Sequence, residues 1–151
     1  MRGDTIAQSV DLTSTPDAVF AVVSDLPGMG RFSLENLGGE WRHGATGPSR
    51  GATFSGRNRQ GRASWSTRAT VVECDPPTRF RFDVTYFGVP VSTWSFDIAA
   101  RGDTVTLTET WRDNRPRWFA AVTSPLVANR AEFTSRSIAH TLSRMKEFLE
   151  N

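Results

Sequence analysis

The sequence predicts an α+β fold: a seven-stranded antiparallel sheet, two short helices after its first strand, and one long helix toward the C-terminal end. Three features predict it. From Asn36 to Arg112 apolar and polar residues alternate with the period of a strand, and clusters of Gly, Pro, Asn and Asp cut the stretch into segments. Beyond Pro116 the apolar period lengthens to that of a helix and holds to the last residues. Between the first strand and the alternating region, Thr15-Pro16-Asp17 carries the marks of a helix start. Strands joined by short turns pair antiparallel, and helices set apart from such a sheet make an α+β layout.

Taken in order, Asp4 to Leu12 alternates loosely through Ile6, Val10 and Leu12 and reads as the first strand. Thr15 caps a helix, Pro16 suits its first position, and Asp17 suits the positive end of its dipole. Val19, Phe20, Val22 and Val23 give this helix an apolar stripe, and Asp25-Leu26-Pro27-Gly28 ends it. A second helical turn follows near Met29 to Ser33, opposed by Gly28 and Gly30. Six strands come next: Leu37 to His43, Ala52 to Asn58, Arg62 to Cys74, Thr78 to Phe87, Val89 to Ala99 and Thr104 to Trp111. Gly44 to Gly51 is a loop, while Arg59-Gln60-Gly61, Asp75-Pro76-Pro77, Gly88 and Arg101-Gly102-Asp103 are turns. Past Asp113-Asn114-Arg115-Pro116 a helix runs for roughly thirty residues, broken or kinked just before Pro125. Phe133, Ser137, Thr141, Met145 and Phe148 fall on one of its faces, with Ile138, Leu142 and Leu149 beside them.

The 151 residues read as one domain, 1–151, long enough to bury a core. Hydrophobic residues make up 38%, which excludes a disordered chain. No apolar run has the length of a membrane span. The polar start Met1-Arg2-Gly3-Asp4 and a lone Cys74, with no partner for an internal disulfide, point to the cytoplasm. Net charge is +2 and the basic residues are scattered, so no stripe for nucleic acid is visible. The aromatic content is unusual, with 10 Phe and 5 Trp against 1 Tyr. Such a surplus suits a core with a void to line or an apolar interface, and equally a core that uses rings as filler.

Alternation assigns the faces of the strands. Phe80, Phe82, Val84 and Tyr86 share one face, opposite Arg79, Arg81, Asp83 and Thr85. Trp94, Phe96 and Ile98, with Ser92 in phase, form a second inward set, Trp65, Thr67, Ala69 and Val71 a third, and Val105, Leu107 and Trp111 a fourth. Two polar residues fall in phase with these. Glu109 joins the set of Leu107 and Trp111, and Asn58 joins that of Phe54. An inward carboxylate is costly, so Glu109 has a partner, meets water in a cavity, or lies at a bulge.

The chain carries no glycine-rich phosphate loop between strand and helix, no nucleophile elbow, and no metal-ligand spacing around His43, His140 or Cys74. No cofactor or metal is expected, and any catalysis would be general acid–base work. Glu109 is the candidate catalytic residue, since an apolar cavity raises a carboxyl toward neutrality; the alternative is an ion pair that fixes strand register. Asn58 is a candidate anchor for a ligand oxygen or, alternatively, a turn residue beside Arg59-Gln60-Gly61. On the long helix, Arg130 is a candidate for the cavity mouth or for pairing with Glu109, or else a solvated residue; His140 lies at the edge of the inner face near Phe133 and Ser137. Trp41, Trp65, Trp94 and Trp111, in phase with Phe54, Phe80, Phe82 and Phe96, complete the candidate ligand-binding set together with Thr67 and Tyr86.

The runs Trp41, Gly44-Ala45-Thr46-Gly47-Pro48, Gly51 to Arg59 and Trp65-Ser66-Thr67 are similar to those of actinobacterial SRPBCC-superfamily proteins. So are Asp75-Pro76-Pro77, Gly88-Val89-Pro90-Val91, Trp94 and Val105 to Trp111. These START-like chains carry the label polyketide cyclase/dehydrase or lipid-transport-like. The resemblance implies a helix-grip fold: a curved antiparallel sheet wrapped around the long C-terminal helix, with an apolar cavity between them. It also implies several activities, because the fold hosts aromatase/cyclases, carriers, hormone receptors and co-chaperones. The first expectation is binding or carriage of an apolar small molecule such as a lipid, polyketide or aromatic metabolite. A second is a cofactor-independent cyclase or dehydratase that uses Glu109 as acid/base. A third is an interaction module without an open cavity, with an apolar patch around Pro116 to Pro125 that includes Trp118 and Phe119. The expected state is monomer or homodimer.

Overall fold

Residues 4–123 and 130–151 are described by the structure, a computed structural model. Seven strands are present: β1 (Thr5–Leu12), β2 (Asn36–Arg42), β3 (Thr53–Gln60), β4 (Ala63–Asp75), β5 (Arg79–Tyr86), β6 (Val89–Arg101) and β7 (Thr104–Asp113). They form one antiparallel sheet in the order β1-β7-β6-β5-β4-β3-β2. Helices α1 (Pro16–Val23), α2 (Arg117–Thr123) and α3 (Arg130–Glu150) complete it, with a 3-10 helix at Leu26–Arg31. This is the helix-grip arrangement: the curved sheet closes around α3.

Local chemistry accounts for the helix starts. Thr15 caps α1 by accepting a hydrogen bond from the Ala18 N–H at 3.2 Å, and Pro16 occupies the first turn. Val19, Phe20, Val22 and Val23 turn their side chains into the core. The second helical turn begins at Leu26 rather than Met29 and is the tighter 3-10 type. Its glycines, unfavourable for a helix, answer to packing. A Cβ on Gly30 would lie 2.9 Å from the Leu37 carbonyl carbon, so only glycine lets this turn lie against β2.

Three register shifts interrupt the ladders, between Asn36 and Gly38, between Val71 and Glu73, and between Val84 and Thr85. Such bulges bend strands and add curvature, which a sheet must have to wrap a helix. Helix α3 is held chiefly by β1. Gln8 Nε2 donates to the Ser135 carbonyl at 2.9 Å, Lys146 Nζ donates to the Asp11 carbonyl at 2.8 Å, and the Thr13 N–H donates to Glu150 Oε2 at 2.8 Å. The helix therefore runs from the end bearing the β3–β4 and β5–β6 hairpins to the opposite end.

The solid part of the core lies at that opposite end. Val19, Val23, Phe80, Leu107 and Met145 are fully buried there, and Phe20 meets Phe80 edge-on at 6.2 Å. Each such side chain contributes about 1.5–3 kcal/mol by leaving water.

The C-terminal region holds the long helix expected there, α3, with the short α2 before it. Helices α2 and α3 are separate elements, and the break expected before Pro125 lies outside the described residues. The buried stripe of α3 is Thr134, Ser137, Ile138, Thr141, Leu142 and Met145. Phe133 and Phe148 fall beside it: Phe133 is half-buried under the guanidinium groups of Arg130 and Arg136, and Phe148 is half-exposed against Phe32. No described helix is long and apolar enough to cross a membrane.

Candidate ligand cavity

Toward the hairpin end, the space between sheet and α3 is not filled. A cavity of about 350 Å³ opens there. Its walls come from alternate residues of five strands: Phe54, Gly56 and Asn58 on β3, Trp65, Thr67 and Ala69 on β4, Phe82, Val84 and Tyr86 on β5, Ser92, Trp94 and Phe96 on β6, and Glu109 on β7. Ser137 and Thr141 of α3, Phe119 and Thr123 of α2, and Leu26 and Met29 of the 3-10 helix close it. Small residues make the room. Gly56, Ala69, Ser92, Ser137 and Thr141 stand where larger apolar side chains would have met across the gap.

Glu109 is the chemically unusual group. It is buried, and its Oε1 has no hydrogen-bond partner among the described residues. Burial in these surroundings pushes its carboxyl up to about 8, so the group is predominantly protonated at neutral pH. Of the readings the sequence left open for it, the ion pair is ruled out among the described residues: Arg130 binds elsewhere. Arg130 Nη2 donates to Glu35 Oε1 at 2.7 Å, and Nη1 donates to Gln60 Oε1 at 3.0 Å. This clasp ties the first turn of α3 to the segment before β2 and to the end of β3, at the rim of the cavity.

Asn58 is a strand residue, not a turn residue. It is buried, and its Nδ2 donates to Thr67 Oγ1 across the β3–β4 ladder at 2.9 Å. A second ion pair lies where β7 leaves the sheet. Arg115 grips Asp113 through two bonds, Nε to Oδ1 at 3.0 Å and Nη2 to Oδ2 at 2.9 Å, and Arg115 lines the cavity.

Of the residues singled out in the sequence, Phe54, Asn58, Trp65, Thr67, Phe82, Tyr86, Trp94, Phe96, Glu109, Arg130 and Ser137 share this lining. Five others do not. Phe80 is fully buried in the solid core against Phe20 and Phe82. Trp41 packs edge-on behind Phe54 at 5.4 Å, which leaves Phe54 to face the cavity. Trp111 is buried outside the lining, two residues past Glu109 on β7, and its Nε1 is without a partner among the described residues. Phe133 and His140 sit beside the buried stripe of α3, not on it. Glu35, Ser92, Arg115 and Thr141 line the cavity without having been singled out. Ser92 and Thr141 were in phase with inward residues and were legible; Glu35 lies in an aperiodic segment and was not.

The fold has many counterparts. A Polyketide_cyc-like protein from Corynebacterium glutamicum superposes with a TM-score of 0.60 at 25% identity, over 96% of this chain and 90% of that one. A START superfamily protein from Mycobacterium smegmatis gives 0.73 at 14% identity over 97% of both chains. The di-domain ARO/CYC StfQ of the steffimycin biosynthetic pathway gives 0.74 at 9% identity, over 96% of this chain and 50% of that one. No curated protein matches the chain in sequence. The family model described as polyketide cyclase / dehydrase and lipid transport does match, across residues 4–150. Sheet, grip helix and sequence thus agree over almost the whole length, and the chain belongs to the polyketide cyclase/dehydrase and lipid transport family of SRPBCC-type, START-like proteins.

Proposed function

We propose that the protein binds and carries an apolar, largely uncharged small molecule in the cavity between the sheet and α3. The observation that carries this reading is the cavity itself. It holds about 350 Å³ walled by the rings of Phe54, Trp65, Phe82, Tyr86, Trp94 and Phe96, so that apolar surface predominates even though polar side chains such as Asn58, Thr67, Ser137 and Thr141 share the lining. Apolar walls with a few fixed polar groups are the usual make-up of a small-molecule site. Glu109, protonated at neutral pH, serves as a hydrogen-bond donor to a ligand oxygen, and the Asn58–Thr67 pair marks a second polar point on the wall. The reading includes a cytoplasmic protein of one domain, on the strength of the lone Cys74 and the single sheet.

The experiment is native mass spectrometry of the purified protein, with its organic extract identified in parallel. A co-purified apolar molecule supports the proposal. A clean mass, with no uptake of the dye anilinonaphthalene sulfonate, ends it.

One observation favours a second reading, acid–base catalysis of the cyclase or dehydratase type. A carboxyl near 8 inside a cavity is poised to give or take a proton close to neutrality. Carriage ranks first because Glu35, the other carboxylate among the described lining residues, is held by Arg130, which leaves Glu109 without a second free acid–base group beside it. Turnover of a substrate that stops in Glu109→Gln would reverse the order.

A further inference from the structure

The hairpin end, where the cavity opens, has an outer surface unlike the rest of the molecule. Four rings run along it in contact: Phe87 with Tyr86 at 4.7 Å, Tyr86 with Phe119 at 6.1 Å, and Phe119 with Trp118 at 5.5 Å. Tyr86 and Phe119 line the cavity, while Phe87 is 90% exposed and Trp118 60% exposed. Val122, on the same short helix α2, is also exposed.

Phe87 stands out further. It occupies the tip of the β5–β6 hairpin with a positive φ of 48°, in the left-handed region, followed by Gly88 at 80°. Glycine, Asn or Asp are the residues such a tip favours, because a bulky side chain strains it. Phenylalanine therefore costs the fold backbone strain and buries almost none of its ring in return.

Charge separates the two ends as well. Arg57, Arg59, Arg62, Arg68, Arg112 and Arg117 are all exposed; strand register places Arg57, Arg59, Arg68 and Arg112 toward the hairpin end, Arg62 lies in the β3–β4 turn, and Arg117 begins α2. Among the described residues none of these six has an ion-pair partner. At the opposite end Arg42, Arg79 and Arg81 are matched by Glu40, Glu73 and Asp97, and two exposed arginines there, Arg50 and Arg101, have no ion pair among the described residues. The acids at the hairpin end are few. Glu35 and Asp113 are buried against arginines, Asp83 accepts from Thr93, Asp4 is half-buried beside Asp113, and Glu132 is exposed on α3.

We infer that the hairpin end docks on an anionic phospholipid surface, with Phe87 and Trp118 entering the headgroup boundary and the six arginines facing the lipid phosphates. Exposed rings beside unpaired cations are what an interfacial site requires. Duplex nucleic acid would use the arginines but give Phe87 no apolar phase to enter. A flat acidic protein would likewise leave the hairpin tip unburied. Passage of cargo from bilayer to cavity through this end rests on the carrier reading; the docking does not.

The test is co-sedimentation of the purified protein, without added cargo, with vesicles of phosphatidylcholine alone and of phosphatidylcholine and phosphatidylglycerol in equal parts. The expected result is binding to the mixed vesicles that weakens as salt is raised. Phe87→Ser lowers it on the order of tenfold, and each of Arg59→Ser and Arg62→Ser lowers it about fivefold. These side chains are exposed, and circular dichroism verifies that the variants keep the fold. Equal partition to both vesicles, full binding by the Phe87→Ser variant, or displacement from mixed vesicles by polyglutamate or duplex DNA at equal charge overturns the inference. Empty-cavity protein that still binds the mixed vesicles upholds docking even where the carrier reading fails.

Discussion

Gln8 and Glu109 stand opposite each other in the β1–β7 ladder, yet only one is satisfied. Gln8 Nε2 reaches across to Ser135 of α3, while Glu109 Oε1 finds no partner among the described residues. The amide fastens the grip helix to the sheet. The carboxyl beside it is left to the cavity and keeps its proton.

That proton has a consequence for stability. In the unfolded chain Glu109 ionises near 4.5, and in the fold near 8. Between these values the folded state holds a proton that the unfolded state has lost, so stability falls as pH rises, by about 1.4 kcal/mol per unit at most. Below the lower value there is no penalty from this group; above the upper value the penalty is complete and constant. Urea denaturation at pH 5, 7 and 9 should show this decline in the wild type and its loss in Glu109→Gln. The variant should be the more stable of the two at pH 9. Parallel profiles for the two proteins would show that Glu109 ionises normally.

The Arg130–Glu35 clasp gives a second prediction. Both side chains are nearly buried, at 13% and 9% exposure, and the pair is 2.7 Å apart. Arg130→Met strands the Glu35 carboxylate and should cost about 3–5 kcal/mol. Glu35→Gln in the same chain should restore much of that loss. A double-mutant cycle by urea denaturation measures the coupling, and additive losses would show the clasp to be incidental.

Core and cavity should separate cleanly under mutation. Phe80→Leu should cost on the order of 1–2 kcal/mol and leave dye uptake unchanged, because Phe80 packs in the solid end of the core. Ser137→Phe puts a ring into the cavity and should weaken uptake of anilinonaphthalene sulfonate on the order of tenfold. Dye titration of the two variants decides; a reversed pattern would relocate the binding site.

Gly39 offers a test of the edge strand. A Cβ there would overlap the Ser55 carbonyl oxygen on β3. Gly39→Ala should therefore part β2 from β3 and lower stability by about 2 kcal/mol or more. Hydrogen exchange should show the loss confined first to β2 and the 3-10 helix against it.

Much of this was legible because strands keep strict count. Trp94 and Phe96, Phe82 and Tyr86, Trp65 and Thr67 were placed on the inner face by alternation alone, and so was Glu109. The helix was harder. Hydrophobicity drew Phe133 and Phe148 onto the same face as Ser137 and Thr141, whereas it is Ser137 and Thr141 that the helix turns to the cavity. Phase also could not tell Phe80, in solid core, from Phe82 on the cavity wall, since both point the same way and differ only in depth. The Glu35–Arg130 pair joins residues 95 apart in sequence, and no local pattern announces such a meeting.

The attachment of β1 to both β7 and α3 bears on how the chain is made. Its first strand borders β7 alone in the sheet, and its side-chain bond to α3 spans 127 residues. Contacts this distant in sequence form slowly and late. A chain emerging in order from the ribosome would thus carry β1 unmatched while every other strand was being synthesised. Through that interval its hydrogen-bonding edge stays open to any other strand that meets it.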